Sequence, residues 1–284
     1  PTITGGRPVG GWQRQDDGLC VADLAAQGFE NFRFRELFFR GERQTLARYP
    51  NLDPAHPVTG GLLHVADTAS RSRTCFHYEE GSIPFARWGE TPQAEVNIFP
   101  YNCWDHNIIR IASVDTQLSL VTLRHSVAGS IHIGNRYFIQ NMRQVLDAPG
   151  EWFSDYATGK LYFLPPDAAA PADGDVVVPM LENIIQVAGT PEAPVQHVTI
   201  RGLHLRHARQ DAIALEGAEH CAVLGNTVTQ VGGVGVNVGY LRNAVKGIGL
   251  PWRKAAAGKV NIHSGDRSLV FGHLCSGCRI AGND

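Results

Sequence analysis

Val198-Thr199-Ile200-Arg201-Gly202-Leu203-His204-Leu205, followed by Asp211-Ala212-Ile213-Ala214-Leu215-Glu216-Gly217, decides the fold, because both runs return 23 residues later. The return reads Cys221-Ala222-Val223-Leu224-Gly225-Asn226-Thr227-Val228 and then Val234-Gly235-Val236-Asn237-Val238-Gly239. Ile200 falls on Val223, Leu205 on Val228, Ile213 on Val236, Leu215 on Val238, and Gly202 on Gly225. A period of this size, built of short alternating runs between turns, marks a solenoid. About three strands at roughly 3.3 Å per residue, with their bends, fill one such turn. Each strand buries one face, and a single turn cannot cover that face alone, so turns must stack. Glycine at one place in successive turns serves a bend with positive φ. Leu203 opposite Asn226 is a mismatch that the repeat leaves unexplained.

The first run comes back once more as Cys278-Arg279-Ile280-Ala281-Gly282-Asn283-Asp284, 57 residues after Cys221-Ala222-Val223-Leu224-Gly225-Asn226-Thr227. That distance is one period plus an insertion, placed at Tyr240 to Lys259 with Gly247, Gly249, Pro251 and Trp252. Residues 177–284 are therefore expected to form coils of a right-handed parallel β-helix, incomplete at the C-terminus. Residues 36–176 carry no such repeat. Their β-like runs are Arg35–Phe39, Gly61–Val65, Ala94–Phe99, Asn107–Ile111, Ser119–Leu123, Ser130–Ile133, Tyr137–Ile139 and Lys160–Phe163. Turn residues separate these runs, which predicts an inserted all-β module resembling a β-sandwich. Pro165 to Asp175 reads as a connector, and residues 1–35 as a first coil interrupted by the module.

Composition agrees with an all-β chain. The 284 residues include 31 Gly and 16 Pro, with 43% hydrophobic and 18% charged residues, enough apolar material for a large core. The formal net charge of −2 gives no basic face for nucleic acid. No apolar run is long enough to span a membrane, and no signal peptide is visible. The chain begins with Pro1, so its natural start is expected upstream. Cys20, Cys75, Cys103, Cys221, Cys275 and Cys278 form no disulfide framework. Cys275-Ser276-Gly277-Cys278 lacks the second pair of a zinc ribbon and reads as buried thiols, with a local disulfide as the alternative.

Three further segments carry a family resemblance. They are Arg43-Gln44-Thr45-Leu46-Ala47-Arg48-Tyr49-Pro50-Asn51; Asn135-Arg136-Tyr137-Phe138-Ile139-Gln140-Asn141 with Leu146-Asp147-Ala148-Pro149-Gly150-Glu151-Trp152 and Gly159-Lys160-Leu161-Tyr162-Phe163; and the coils, including Gly265-Asp266-Arg267. In this order the chain resembles the bacterial right-handed parallel β-helix glycoside hydrolases, the group with β-xylosidases, xylanases and α-fucosidases. The resemblance implies a β-helix with an inserted β-sandwich-like domain, a polysaccharide or oligosaccharide substrate, no cofactor, and a secreted or periplasmic location. It implies two catalytic carboxylates in coils beyond a Gly-Asp-Arg segment, one of them in a Gly-Asp-Ala-Gly-Ala-Ile-Tyr-like motif. That motif is absent here. Its nearest string, Gln210-Asp211-Ala212-Ile213, lacks the glycines and the tyrosine and lies in an earlier coil.

Glycoside hydrolysis needs two carboxyl groups about 5–5.5 Å apart for retention or roughly 6.5–9.5 Å apart for inversion. Coils spaced by about 4.8 Å can supply such a pair. The candidates are Asp211, Glu216, Asp266 and Asp284, with Asp211 and Asp266 placed first. Each has a structural alternative: Asp211 as a turn carboxylate capping backbone N–H groups, Asp266 as one half of an Asp–Arg turn. Trp252 and Arg267 are the candidate substrate-binding residues, and Trp12, Trp88, Trp104 and Trp152 are further flat apolar faces. The excess of Arg over Lys suits bidentate contact with acidic sugars. His204 and His207 are expected on a solvated outer face, with no third ligand for a metal. Three functions stay open: a glycoside hydrolase with its catalytic part largely beyond this chain, a non-catalytic glycan-binding or surface scaffold, and a polysaccharide lyase. The lyase wants a cation site or a Lys/Arg base, yet Lys246, Lys254 and Lys259 all sit in the insertion.

Overall fold

A computed structural model describes residues 1–29, 32–167, 169–190, 193–238, 275–276 and 278–284. The described chain is nearly all β; its helices are Phe85–Trp88 and the short 3-10 turns Ala25–Gln27 and Arg143–Val145. It divides into two compact units. The first holds Pro1–Val9, Glu36–Arg43 and Asp173–Asp284; the second holds Gly10–Arg35 and Gln44–Ala172. Residues 1–35, read from sequence as one segment, are thus shared between the units.

In the first unit the repeats lie side by side as parallel three-stranded sheets. Ile185–Ala188, Ile213–Glu216 and Val236–Val238 form one, and Thr199–Arg201, Ala222–Leu224 and Arg279–Ala281 another. A third joins Thr2–Thr4, His204–Ala208 and Thr227–Val231, and a fourth joins Val195–Gln196, Ala218–Glu219 and Cys275–Ser276. The register is the one the repeat predicts: Ile200 pairs with Val223, Leu205 with Val228, Ile213 with Val236 and Leu215 with Val238. Val223 in turn pairs with Ile280, the partner expected from the longer offset. Alternation puts Ile200, Leu205, Ile213, Leu215 and Val223 into one buried cluster. Thr199 and Arg201, on the opposite face, are exposed.

The bends repeat as faithfully as the strands. Gly202, Gly225 and Gly282 all take left-handed conformations, with φ of 67°, 56° and 58°. Beside this bend, Asn226 resolves the mismatch with Leu203. Its Oδ1 accepts from the Leu203 N–H at 3.0 Å and its Nδ2 donates to the Ile200 carbonyl at 3.1 Å. One repeat later, Asn283 does the same to Asn226 and Val223, each at 3.0 Å. Each asparagine therefore ties its bend to the repeat before it, and Leu203 only receives.

His207 departs from the sequence expectation of a solvated face. It is 2% exposed. Its φ of 62° breaks the strand's alternation, and the pairing skips from Arg206↔Thr229 to Ala208↔Val231. Gln230, the equivalent residue of the next repeat, shares the conformation at φ 58°. Both strands carry this left-handed residue, so the 23-residue register continues unbroken across it.

The second unit holds a seven-stranded and a five-stranded sheet. The seven-stranded sheet runs Cys75–His77, Leu120–Leu123, Asn107–Asp115, Glu95–Ile98, Arg136–Gln140 and Arg48–Tyr49, with Leu63–His64 also on Arg136–Gln140. The five-stranded sheet runs Gln13–Arg14, Cys20–Asp23, Lys160–Phe163, Glu151–Asp155 and Thr45–Leu46. One apolar core takes side chains from both, among them Phe76, Val96, Tyr137, Ile139 and Phe153. The expected run Ser130–Ile133 is not a strand. Ile131 is buried there, but its N–H goes to the Ser72 carbonyl in a loop.

Truncating Asn226 to alanine strands the Leu203 N–H and the Ile200 carbonyl, so Asn226→Ala is expected to cost about 1–3 kcal/mol. Thr199→Ala, on the exposed face, is expected to stay within about 0.5 kcal/mol of the parent. Urea denaturation checks both; equal stabilities would show that the asparagine ties are not holding the stack.

Candidate functional site

Asp211 precedes the strand Ile213–Glu216 and is buried. Its Oδ1 accepts from the Val234 N–H at 2.9 Å and its Oδ2 from Asn237 Nδ2 at 2.7 Å. Its own N–H donates to Asn183 Oδ1 at 3.3 Å. The next repeat closes tightly over this carboxylate: a Cβ on Gly233 would lie 2.4 Å from Oδ1. Asp211 thus performs the capping role for a bend of the following repeat, with both oxygens engaged. Asp266, Arg267 and Trp252 lie outside the described residues, as does the insertion around Trp252, so no pairing of Asp211 with Asp266 is on view. Glu216, at the end of the same strand as Ile213, is half-buried, and burial raises its carboxyl above the ordinary range. Asp284 is exposed and is tied through its backbone to Asn226 and Val228.

His207 Nδ1 meets Thr4 Oγ1 at 2.9 Å, and its ring lies against Phe38 with centroids 5.1 Å apart. Its Nε2 is buried and has no hydrogen-bond partner among the described residues. Burial, helped by the charges of Arg206 and His204, pushes the imidazole down to about 4. His204 is half-exposed, with Nε2 3.1 Å from Thr229 Oγ1. Among the described residues no group of three or more His, Cys, Asp or Glu side chains is arranged to hold a metal. The Cys278 thiol lies 3.5 Å from the Ala218 carbonyl, and the side chain of Cys275 lies outside the description.

In the second unit the Leu146–Trp152 segment is a clasp. The Glu151 carboxylate accepts from the Arg48 N–H at 3.1 Å with Oε1, and from the Asp147 and Ala148 N–H groups at 3.1 and 3.2 Å with Oε2. Burial raises its carboxyl to about 7, against the pull of those three N–H donors. Trp152 is fully buried, with its ring stacked on Phe34 at 5.3 Å. These residues hold the turn to the strand Arg48–Tyr49, so the role of the segment here is structural.

The tryptophans separate by exposure. Trp12 packs toward Phe163, and Trp88 makes edge contacts with Tyr49 and Phe85. Trp104 is 87% exposed, on the loop between Ile98 and Asn107. Two non-glycine residues of that loop take left-handed backbone, Tyr101 at φ 54° and Cys103 at φ 60°. Each costs on the order of 1 kcal/mol or more, so the surroundings must hold it in place. The Tyr101 N–H donates to the Ser130 carbonyl at 2.9 Å, and Asn135 Nδ2 donates to the Tyr101 carbonyl at 3.1 Å. His106 stacks on Phe99 at 4.8 Å and shares a 2.9 Å hydrogen bond with Asn97 Oδ1. Tyr101 meets the His132 ring edge-on at 5.3 Å, and Tyr101 and Ile133 are themselves 53% and 65% exposed. A held loop therefore offers flat apolar faces next to imidazole. Sequence reasoning counted Trp104 among the platforms but ranked Trp252 above it. The signal that marks Trp104 is its loop setting among Pro100, Asn102 and Asp105.

No protein-family model and no curated protein matches the chain. Among solved structures, a chain described as a glycoside hydrolase superposes with a TM-score of 0.63 at 19% identity. The match covers 84% of this chain and 53% of the other, so this chain spans about half the length of that structure. The likeness is one of fold. Among the described residues, no helix is long and apolar enough to cross a membrane.

The depressed His207 makes stability depend on pH. Folded, it titrates near 4, below its ordinary 6.5. Between those values the unfolded chain takes up a proton that the folded chain refuses. Its contribution is complete above the unfolded value and is lost as pH falls, by up to about 1.4 kcal/mol per pH unit. Denaturation midpoints from pH 7 to 4 are expected to fall less steeply in His207→Gln than in the parent; parallel curves would contradict this.

Proposed function

We propose that this chain is part of a carbohydrate-active right-handed parallel β-helix protein, a glycoside hydrolase acting on plant or microbial polysaccharide. In this reading the first unit supplies β-helix coils and the second is the inserted β-sandwich-like domain. The observation that carries it is the fold likeness to a glycoside hydrolase over 84% of the chain. The in-register parallel strands of the first unit support the same reading. The working mechanism is acid/base hydrolysis by two carboxylates. Asp211 is committed to Val234 and Asn237. The reading therefore assigns the pair mostly or wholly to coils beyond this chain. Secretion or a periplasmic location belongs to the same proposal.

In this reading Trp104 is a glycan platform, since the C–H face of a sugar ring stacks on an exposed aromatic face. That also supports the second reading, a glycan-binding protein without catalysis, which the engaged state of Asp211 favours. Affinity electrophoresis through gels of soluble plant polysaccharides, with the chain and Trp104→Ala, tests the platform. The expected result is retardation of the parent and loss of about tenfold in affinity for Trp104→Ala, roughly the worth of one buried aromatic contact. Unretarded parent protein on every glycan would remove the platform. An aryl glycoside panel with the full-length gene product separates the two readings: turnover supports the hydrolase, and binding without turnover supports the scaffold.

A further inference from the structure

We propose that the second unit holds a niche for a single uronate ring, sharing no lining residue with the Trp104 loop. The proposal rests on the carbohydrate reading above and adds a ligand class and a second place of binding. The niche is a cavity of about 210 Å³ lined by Phe29, Phe32 and Arg33 and by the strand end Ser154–Tyr156. Ligand pockets for drug-sized molecules run from about 300 to 1,000 Å³. This one therefore matches one ring and excludes a chain of them.

The walls are built rather than incidental. Gln93 spans the strand end: its Nε2 donates to the Ser154 carbonyl and its Oε1 accepts from the Tyr156 N–H, both at 2.9 Å. The Tyr156 hydroxyl donates to the Phe34 carbonyl at 3.3 Å. On the facing wall, the Phe29 N–H donates to Leu24 and the Phe32 N–H to Phe29, each at 3.0 Å. Phe29, Phe32 and Tyr156 thus present aromatic surface to the cavity.

Two polar groups select the ligand. Ser154 is 1% exposed, and its Oγ has no hydrogen-bond partner among the described residues. A buried hydroxyl left unspent beside a cavity asks for a ligand group to bond. Arg33 is exposed at the rim, its guanidinium 5.0 Å from the Tyr156 ring centre, a placement that leaves the planar N–H fork for a carboxylate. Asp155 also lines the cavity, but its Oδ1 accepts from the Ala157 and Thr158 N–H groups and its Oδ2 from the Thr158 hydroxyl. Its charge is held in its own turn. A hexuronate satisfies the whole set: ring C–H groups on the aromatics, carboxylate on Arg33, one hydroxyl on Ser154.

Saturation-transfer NMR and calorimetry on the 284-residue chain test this with glucuronate, glucose and benzoate. Glucose carries a hydroxymethyl group where glucuronate carries the carboxylate, and benzoate keeps a carboxylate without the hydroxyls. Glucuronate is expected to bind at least about tenfold more tightly than glucose, the worth of one charge-assisted hydrogen bond. Arg33→Gln is expected to remove that preference. Ser154→Ala is expected to weaken glucuronate about threefold or more. Thr199→Ala, on the exposed face of the first unit, should leave glucuronate binding unchanged. Arg33 is exposed, so its replacement does not threaten folding, and circular dichroism checks both niche variants. No glucuronate binding by the parent, equal binding by Arg33→Gln and Ser154→Ala, or binding of benzoate alone would overturn the niche. Intact glycan retention without glucuronate binding sinks the niche alone. Glucuronate binding without glycan retention sinks only the Trp104 platform.

Discussion

Everything in the first unit depends on side chains of successive repeats standing on one another in parallel register. A strand of three residues such as Thr199–Arg201 buries one side chain inward, and that alone does not hold it. Ile200 and Val223 gain cover because each has an in-register neighbour in the next repeat. The register in turn needs bends that are alike, which the left-handed glycines supply. Polar side chains then lock each bend to its neighbour: Asn226 and Asn283 on one side, Asp211 on another. These are buried groups with their hydrogen-bonding capacity spent across the repeat boundary, so a slip of one residue would strand them all.

That economy bears on function. The carboxylate that the sequence offered first, Asp211, is consumed by the architecture. So is Glu151 in the second unit, where it closes the turn at Asp147 and Ala148. The groups left for recognition lie in loops and turns held by their own hydrogen bonds. The Trp104 loop spends backbone strain at Tyr101 and Cys103 to present an aromatic face, and Phe29, Phe32 and Arg33 line a small cavity. In the proposed hydrolase, the described residues would serve binding and support more than bond cleavage.

The repeat was legible because its information is local and recurs: alternation, bend position and period all lie within one turn of chain. Ile213 over Val236 could be read from spacing alone. Asn226 could not, since its partners Leu203 and Ile200 belong to the repeat before it. His207 was misread because a left-handed residue within a strand leaves no mark in the sequence's alternation. In the second unit the β character of Asn107–Ile111 or Lys160–Phe163 showed, but which strand lies beside which is a long-range matter. Glu95–Ile98 sits between Asn107–Asp115 and Arg136–Gln140, an order that no local pattern dictates. Exposure is equally non-local, which is why Trp104 stood level with the buried Trp152 in the sequence.

The register itself can be measured by cross-linking. Thr199 and Ala222 are direct partners on the outer face of the stack, whereas Leu224 is two residues further along. In-register parallel neighbours lie about 4.8 Å apart, within disulfide reach; a two-residue offset stretches this to roughly 8 Å, beyond it. Under mild oxidation, Thr199→Cys with Ala222→Cys is expected to form that bond, found by peptide mass analysis, and Thr199→Cys with Leu224→Cys is not. The reverse pattern, or neither bond, would contradict the stacking on which the account stands.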